Sequence, residues 1–194
     1  MAIKRAKTLD DAQFDILMSY LARGNNPLRD RVMFALSFKC GLRAKEIAGL
    51  NWSDVVDVEG NVYPVGAVID LSHKITKGGK VDSKIIMHPL VHETLRELQA
   101  SNPKFILDAP RTPSGRMTYN NVTVYMHAVY KKLGFQGCSS HSGRRTFGTK
   151  LARSCNLNGG SITDVQELMR HSDIRTTRIY IDPSDTQKNM VLGL

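Results

Sequence analysis

A single change of period constrains this sequence most. Over most of its length apolar residues recur three and four apart, the spacing of one helix face. Between residues 61 and 88 that spacing gives way to two β-branched-rich runs, VYPVGAVIDL and SKIIMH, bounded by glycines. One short strand-forming stretch among helical segments predicts an α+β chain, mostly α-helical, with a small antiparallel sheet at about 61–88. The connecting HKITKGGKVD places Lys74, Lys77 and Lys80 around Gly78-Gly79, so the hairpin tip presents lysines. They are either solvated turn residues or include one that reaches a DNA groove, and the residues alone leave both readings open.

The helical segments have recognisable ends. Thr8 is placed to cap a helix over 8–22, with Asp10 and Asp11 at its positive end and Phe14, Leu17, Met18 and Leu21 on one face. A second helix, 28–40, stops at Gly41. In GLRAKEIAGLNWSDV, Leu42, Ile47 and Leu50 are of buried type. Arg43 and Glu46 are either an ordinary surface ion pair or an inward-aimed arginine oriented by the acid. Pro89 opens a helix over 89–100 with Leu90, Leu95 and Leu98 inward. His88 and His92 have metal-ligand spacing but no third ligand, which leaves them as capping or surface residues. The loop 101–117 carries Lys104, Arg111 and Arg116, which either follow a phosphate backbone or are solvated. Thr118 caps a helix through Leu133 that ends at Gly134, and its spacing makes Tyr125 and Tyr130 packing residues. A helix from His141 to about Cys155, a loop at 156–160 and a helix capped by Ser161 follow. Val165, Leu168 and Met169 are its buried positions, and a short last turn carries Tyr180.

Length and charge narrow the partners. A chain of 194 residues suits one compact domain with a real core. Lys and Arg number 27 against 18 Asp and Glu, a formal charge of +9 that favours a polyanion, nucleic acid first and an acidic membrane second, with a solvated basic surface as the other reading. Three cysteines without a C-x-x-C pair argue against a disulfide framework or zinc finger and for a reducing compartment. The basic N-terminus lacks an apolar core, and no apolar run is long enough to span a membrane. No phosphate-cradling glycine motif or G-x-S-x-G elbow is present.

The chemistry concentrates in residues 141–180. His141 and Arg144 are spaced to face one anion from a helix, and His171 precedes Tyr180 by nine residues within a strongly basic stretch. A tyrosine among cations suggests a phenolic nucleophile aimed at a phosphate.

Taken in order, G-L-R-x-x-E-I-x-x-L, a hairpin lysine, H-x-x-R and H-S-x-I-x-T-T-x-x-Y resemble the catalytic domain of tyrosine recombinases, the phage-integrase family, from about Thr8 to Ile181. The resemblance implies that fold. It also implies paired arginines at Arg43 and Arg144, histidines at His141 and His171, and a nucleophile at Tyr180. The hairpin lysine falls on Lys77, with Lys74 second, and Glu46 is the supporting acid. The implied activity is site-specific cutting and rejoining of double-stranded DNA through a 3′-phosphotyrosyl intermediate, leading to integration, excision or inversion, without metal, ATP or other cofactor. The implied assembly is a homotetramer on DNA, aided by accessory DNA-bending proteins, in the cytoplasm beside the nucleoid of a bacterial or phage-infected cell. Residues 1–181 would be the catalytic domain, with no separate N-terminal DNA-binding domain in this sequence, as in short catalytic-domain-only members or in an excised domain, and 182–194 a tail docking either on a neighbouring protomer or on its own chain. Three features depart from the family pattern. Gly143 precedes Arg144 where a larger apolar residue is usual, Arg170 precedes His171 where glycine is usual, and the loop at 154–160 is longer. A catalytically silent DNA-binding regulator and a type IB topoisomerase-like relaxing enzyme are the competing functions.

Overall fold

The computed structural model describes residues 5–71, 84–155, 157, 159–178 and 180. Among these run helices α1 (Asp11–Ala22), α2 (Pro27–Lys39) and α3 (Ala44–Gly49), strands β1 (Val68–Asp70) and β2 (Lys84–Ile86), then α4 (Pro89–Ala100), α5 (Tyr119–Lys132), α6 (Ser142–Ser154), α7 (Ile162–Leu168) and α8 (Ile174–Arg178). The chain divides into two compact units, Met1–Phe147 and Gly148–Leu194.

In the first unit α2 is buried almost all round. Val32, Met33, Phe34, Ala35 and Leu36 are fully enclosed, so this helix is the core against which α1 and α4 pack. Pro27 starts it, where a missing N–H costs nothing. Asp30, buried on the same helix, is held by the Arg29 guanidinium at 2.8 Å and accepts the Tyr125 hydroxyl at 2.5 Å. Burial, and then that bond to Asp30, drive the Tyr125 phenol far above its ordinary range. Tyr130 is enclosed edge-on to Phe34. Both tyrosines are packing residues, as their spacing predicts.

Several boundaries differ from the sequence expectation. Helix α1 begins after Asp10, whose carboxylate accepts the Gln13 N–H at 2.8 Å, while the Gln13 side chain accepts the Asp10 N–H at 3.1 Å. That reciprocal box displaces Thr8 from the cap. The Leu9 N–H goes instead to Thr146 Oγ1 at 3.0 Å. On α4 the inward face is Val91, Thr94, Leu95 and Leu98, with Leu90 only partly buried. His88 is the cap of that helix: its Nδ1 accepts the Leu90 N–H at 3.1 Å. Helix α5 is capped by Thr118 and released by Gly134 at φ +72°, as expected.

Strands β1 and β2 pair antiparallel, Val68 opposite Ile86, Ile69 opposite Ile85 and Asp70 opposite Lys84. Ile69 and Ile85 face the core, while Val68 and Ile86 face out. The hairpin tip with Lys74, Lys77 and Lys80 lies outside the described residues.

Arg116 is partly buried and bonded within the protein. It donates to the carbonyls of Ala48 at 2.5 Å and Leu50 at 3.3 Å and to Asn51 Oδ1 at 3.1 Å. Those are acceptors at and beyond the C-terminus of α3, so a distant loop supplies its cap.

In the second unit α7 opens with the Ser161 N–H donating to Asp164 Oδ2 at 2.6 Å. Val165 and Met169 are buried; Leu168, expected to be, is half-buried. Arg170, one residue past the cap of α7, has φ +51°, the left-handed conformation that ends many helices. This accounts physically for the glycine usual at that place: it enters the region without the Cβ clash that arginine bears. The tail at 182–194 lies outside the described residues.

Candidate active site

In the first unit the site is built on the turn Gly41-Leu42-Arg43. Gly41 has φ +62°, and a Cβ there would lie 2.4 Å from the Phe147 ring. Both facts demand glycine. The reversal lets the Leu42 N–H return to the Leu36 carbonyl at 3.2 Å and sets Arg43 at the head of α3.

Glu46 then uses both carboxylate oxygens on one residue. Oε2 accepts the Arg43 N–H at 2.7 Å and Oε1 accepts Arg43 Nη1 at 2.7 Å. Glu46 is 1% exposed, whereas the Arg43 side chain is 28% exposed. The acid is therefore buried against both the backbone and the guanidinium of Arg43, while the guanidinium itself stays partly exposed.

Arg144 is anchored to the same turn. It is buried, and Nη1 donates to the Gly41 carbonyl at 2.5 Å. The first turn of α6 reaches this position by passing very close to α2. A Cβ on Gly143 would lie 2.3 Å from Ser37 Oγ and 2.8 Å from Phe38 Cδ2. The bulk usual before the arginine is therefore supplied here by α2.

His141 lies just outside the helix. Its carbonyl accepts the Arg145 N–H at 2.9 Å and its side chain is exposed. It thus occupies the capping position before Ser142, rather than sharing a helical face with Arg144. The extended N-terminal segment lies along the approach to α6. The Lys7 N–H donates to the Gly137 carbonyl at 2.9 Å, and Arg145 Nη1 donates to the Ala6 carbonyl at 2.6 Å. Nothing in the local sequence signals this strap.

In the second unit His171 and Tyr180 come together. Their rings lie 5.9 Å apart and within 9° of parallel. The His171 N–H donates to the Gln166 carbonyl at 3.0 Å, and Gln166 Nε2 donates to the His171 carbonyl at 3.1 Å. His171 Nδ1 is 3.0 Å from Thr177 Oγ1. A Cβ on Gly148 would lie 2.8 Å from Met169 Cε and 3.2 Å from Tyr180 Cε1, so only glycine leaves both side chains where they are. Met169 is buried as its spacing predicts, whereas Thr177 and Gly148 carry no local signal of their place beside the pair beyond the repeated threonine of the H-S-x-I-x-T-T-x-x-Y motif. Lys77 and Lys74 lie outside the described residues. Among the described residues no group of three or more His, Cys, Asp or Glu side chains is placed to hold a metal ion. No helix among them is long and apolar enough to cross a membrane.

The fold recurs in solved structures of tyrosine-type integrases and recombinases. The Tn1549 transposon integrase, solved in complex with transposon right end DNA, superposes with a TM-score of 0.75 at 18% identity, covering 100% of this chain and 67% of that one. The chain belongs to the phage integrase family, whose model matches residues 7–187. It is 25% identical over 181 residues to the tyrosine recombinase XerD of Rickettsia prowazekii, covering 87% of this chain and 56% of that relative. It is 28% identical over 186 residues to the XerD of Lacticaseibacillus casei, covering 89% of this chain and 57% of that relative. The chain thus spans little more than half the length of these curated relatives.

Proposed function

We propose that residues 1–181 are the catalytic domain of a site-specific DNA recombinase that cuts and rejoins double-stranded DNA through a 3′-phosphotyrosyl intermediate. The observation that carries this reading is the way Arg43 and Arg144 are held, one by a buried carboxylate and the other by the Gly41 carbonyl. Guanidinia fixed before the reaction cost no reorganisation when negative charge gathers on the non-bridging oxygens of a phosphodiester.

Tyr180 Oη attacks phosphorus, forming the O–P bond as the bond to the 5′ oxygen breaks. A phenol of ordinary pKa needs about 4 kcal/mol to ionise at neutral pH, so its proton passes to His141 within a positive field. His171 donates a hydrogen bond to a phosphate oxygen, and Lys77 protonates the departing 5′ oxygen. A 5′ hydroxyl from another duplex then attacks the phosphotyrosine and releases Tyr180. Each step exchanges one phosphate ester for another, so the proposed cycle uses neither ATP nor metal. The proposal includes a homotetramer on DNA, accessory bending proteins, and a bacterial or phage-encoded enzyme working at the nucleoid. The 182–194 tail would dock on a neighbouring protomer.

The test is covalent trapping on a nicked suicide duplex carrying the sequence that flanks the gene. The expected result is an SDS-stable protein–DNA adduct in the absence of divalent metal, lost in Tyr180→Phe. DNA binding without any adduct would favour a silent DNA-binding regulator. Relaxation of site-free plasmids without recombinant product would favour a topoisomerase.

A further inference from the structure

We infer that Thr177 is a positioning residue that orients the His171 ring and ties it to Tyr180. This rests on the recombinase reading, but one of its tests does not.

The two threonines of the motif are not equivalent. Thr176 is exposed, whereas Thr177 is fully buried in α8. Thr177 touches both partners of the stacked pair. Its hydroxyl lies 3.0 Å from His171 Nδ1, and its carbonyl accepts the Tyr180 N–H at 3.0 Å. The backbone of His171 is already clamped by Gln166 on both its N–H and its carbonyl. What those bonds leave open is rotation of the imidazole and the placement of its proton. The Thr177 hydroxyl governs both. When it donates to Nδ1, the ring proton sits on Nε2, the tautomer that can donate to a phosphate oxygen. Because the Tyr180 ring lies parallel to the imidazole, the orientation set at His171 is also the surface on which Tyr180 rests. The same residue therefore prepares the donor through its side chain and places the nucleophile through its backbone.

Thr177→Val keeps the shape and the backbone bond but removes the hydroxyl; Thr177→Ser keeps the hydroxyl. In single-turnover cleavage of the suicide duplex, Thr177→Val should be about tenfold slower with DNA affinity within about twofold of wild type, and Thr177→Ser should restore most of the rate. On a His171→Ala background, Thr177→Val should cost nothing further, because its effect runs through the imidazole. Imidazole 15N NMR of the DNA-free protein gives a readout independent of cleavage. His171, identified by its loss in His171→Ala, should be a single Nε2–H tautomer in wild type and in Thr177→Ser, and a mixture in Thr177→Val. Equal loss in both backgrounds, equal damage from Val and Ser, or an unchanged tautomer in Thr177→Val would overturn the assignment. Absence of any wild-type adduct with the tautomer shift present would reject the recombinase reading and leave the positioning role standing.

Discussion

Replacing Glu46 by glutamine tests the arrangement that holds Arg43. The carboxylate accepts the Arg43 N–H and Nη1, each at 2.7 Å. A glutamine of the same shape has one acceptor oxygen and one NH2 group, so it can serve only one of them. The buried backbone N–H has the stronger claim, which turns the NH2 toward the guanidinium. The loss is one charge-assisted bond, worth about 1.5–3 kcal/mol, together with the counter-charge of the arginine. Water reaches the Arg43 side chain, which is 28% exposed, and restores part of this. The net destabilisation is about 2 kcal/mol. For a chain of this size that lowers the thermal midpoint by about 4–8 °C, and with a urea dependence of about 2 kcal/mol per M it moves the unfolding midpoint by about 1 M. Equilibrium unfolding by circular dichroism measures both. Adduct formation should also slow by at least about tenfold, because the guanidinium no longer has a fixed direction. A Glu46→Gln protein with a urea midpoint within about 0.2 M of wild type, and an unchanged m-value, would refute the claim that this acid organises the arginine.

Substitutions at three further positions probe other places. His88 caps α4 only when Nδ1 is unprotonated. Its pKa is lowered by burial and then by the charge of Lys39. Its contribution is thus complete above the ordinary histidine value and is lost as pH falls through the lowered one. Urea midpoints measured at pH 7.5 and pH 5 should fall together more steeply in wild type than in His88→Asn, which caps without titrating there. Gly143→Leu, which restores the bulk usual before the arginine, should destabilise by about 3 kcal/mol, because Ser37 and Phe38 already occupy that space. At Arg170, φ +51° predicts thermal midpoints in the order Gly above Arg above Val, with the valine variant less stable than wild type by about 1–2 kcal/mol. Differential scanning calorimetry on the three proteins decides the order.

Much of this protein is legible from local rules. The helix from Thr118 to Gly134, the proline opening α4 and the antiparallel pairing of two β-branched runs follow from preferences that act within a few residues. The order of the motifs from GLRAKEIAGL to RHSDIRTTRIY was enough for the family, whose model matches residues 7–187. The uncertain boundaries were those where two local candidates competed. Thr8 and Asp10 both suit a cap, and the tertiary bond from the Leu9 N–H to Thr146 helps settle which of them serves.

What no local rule decides is the fate of a polar side chain. Whether Glu46 is solvated or buried on Arg43, whether Arg116 tracks a ligand or caps α3, and whether Thr177 faces water or His171 all depend on partners and on burial. Gly143 shows the same limit from the other side. The sequence by itself determined most helices and the paired strands, because those follow from backbone preferences and apolar spacing, and it pointed to the family through the order of its motifs. Only the tertiary structure decided which charges are held and by what, because that depends on the removal of water, which folding alone brings about.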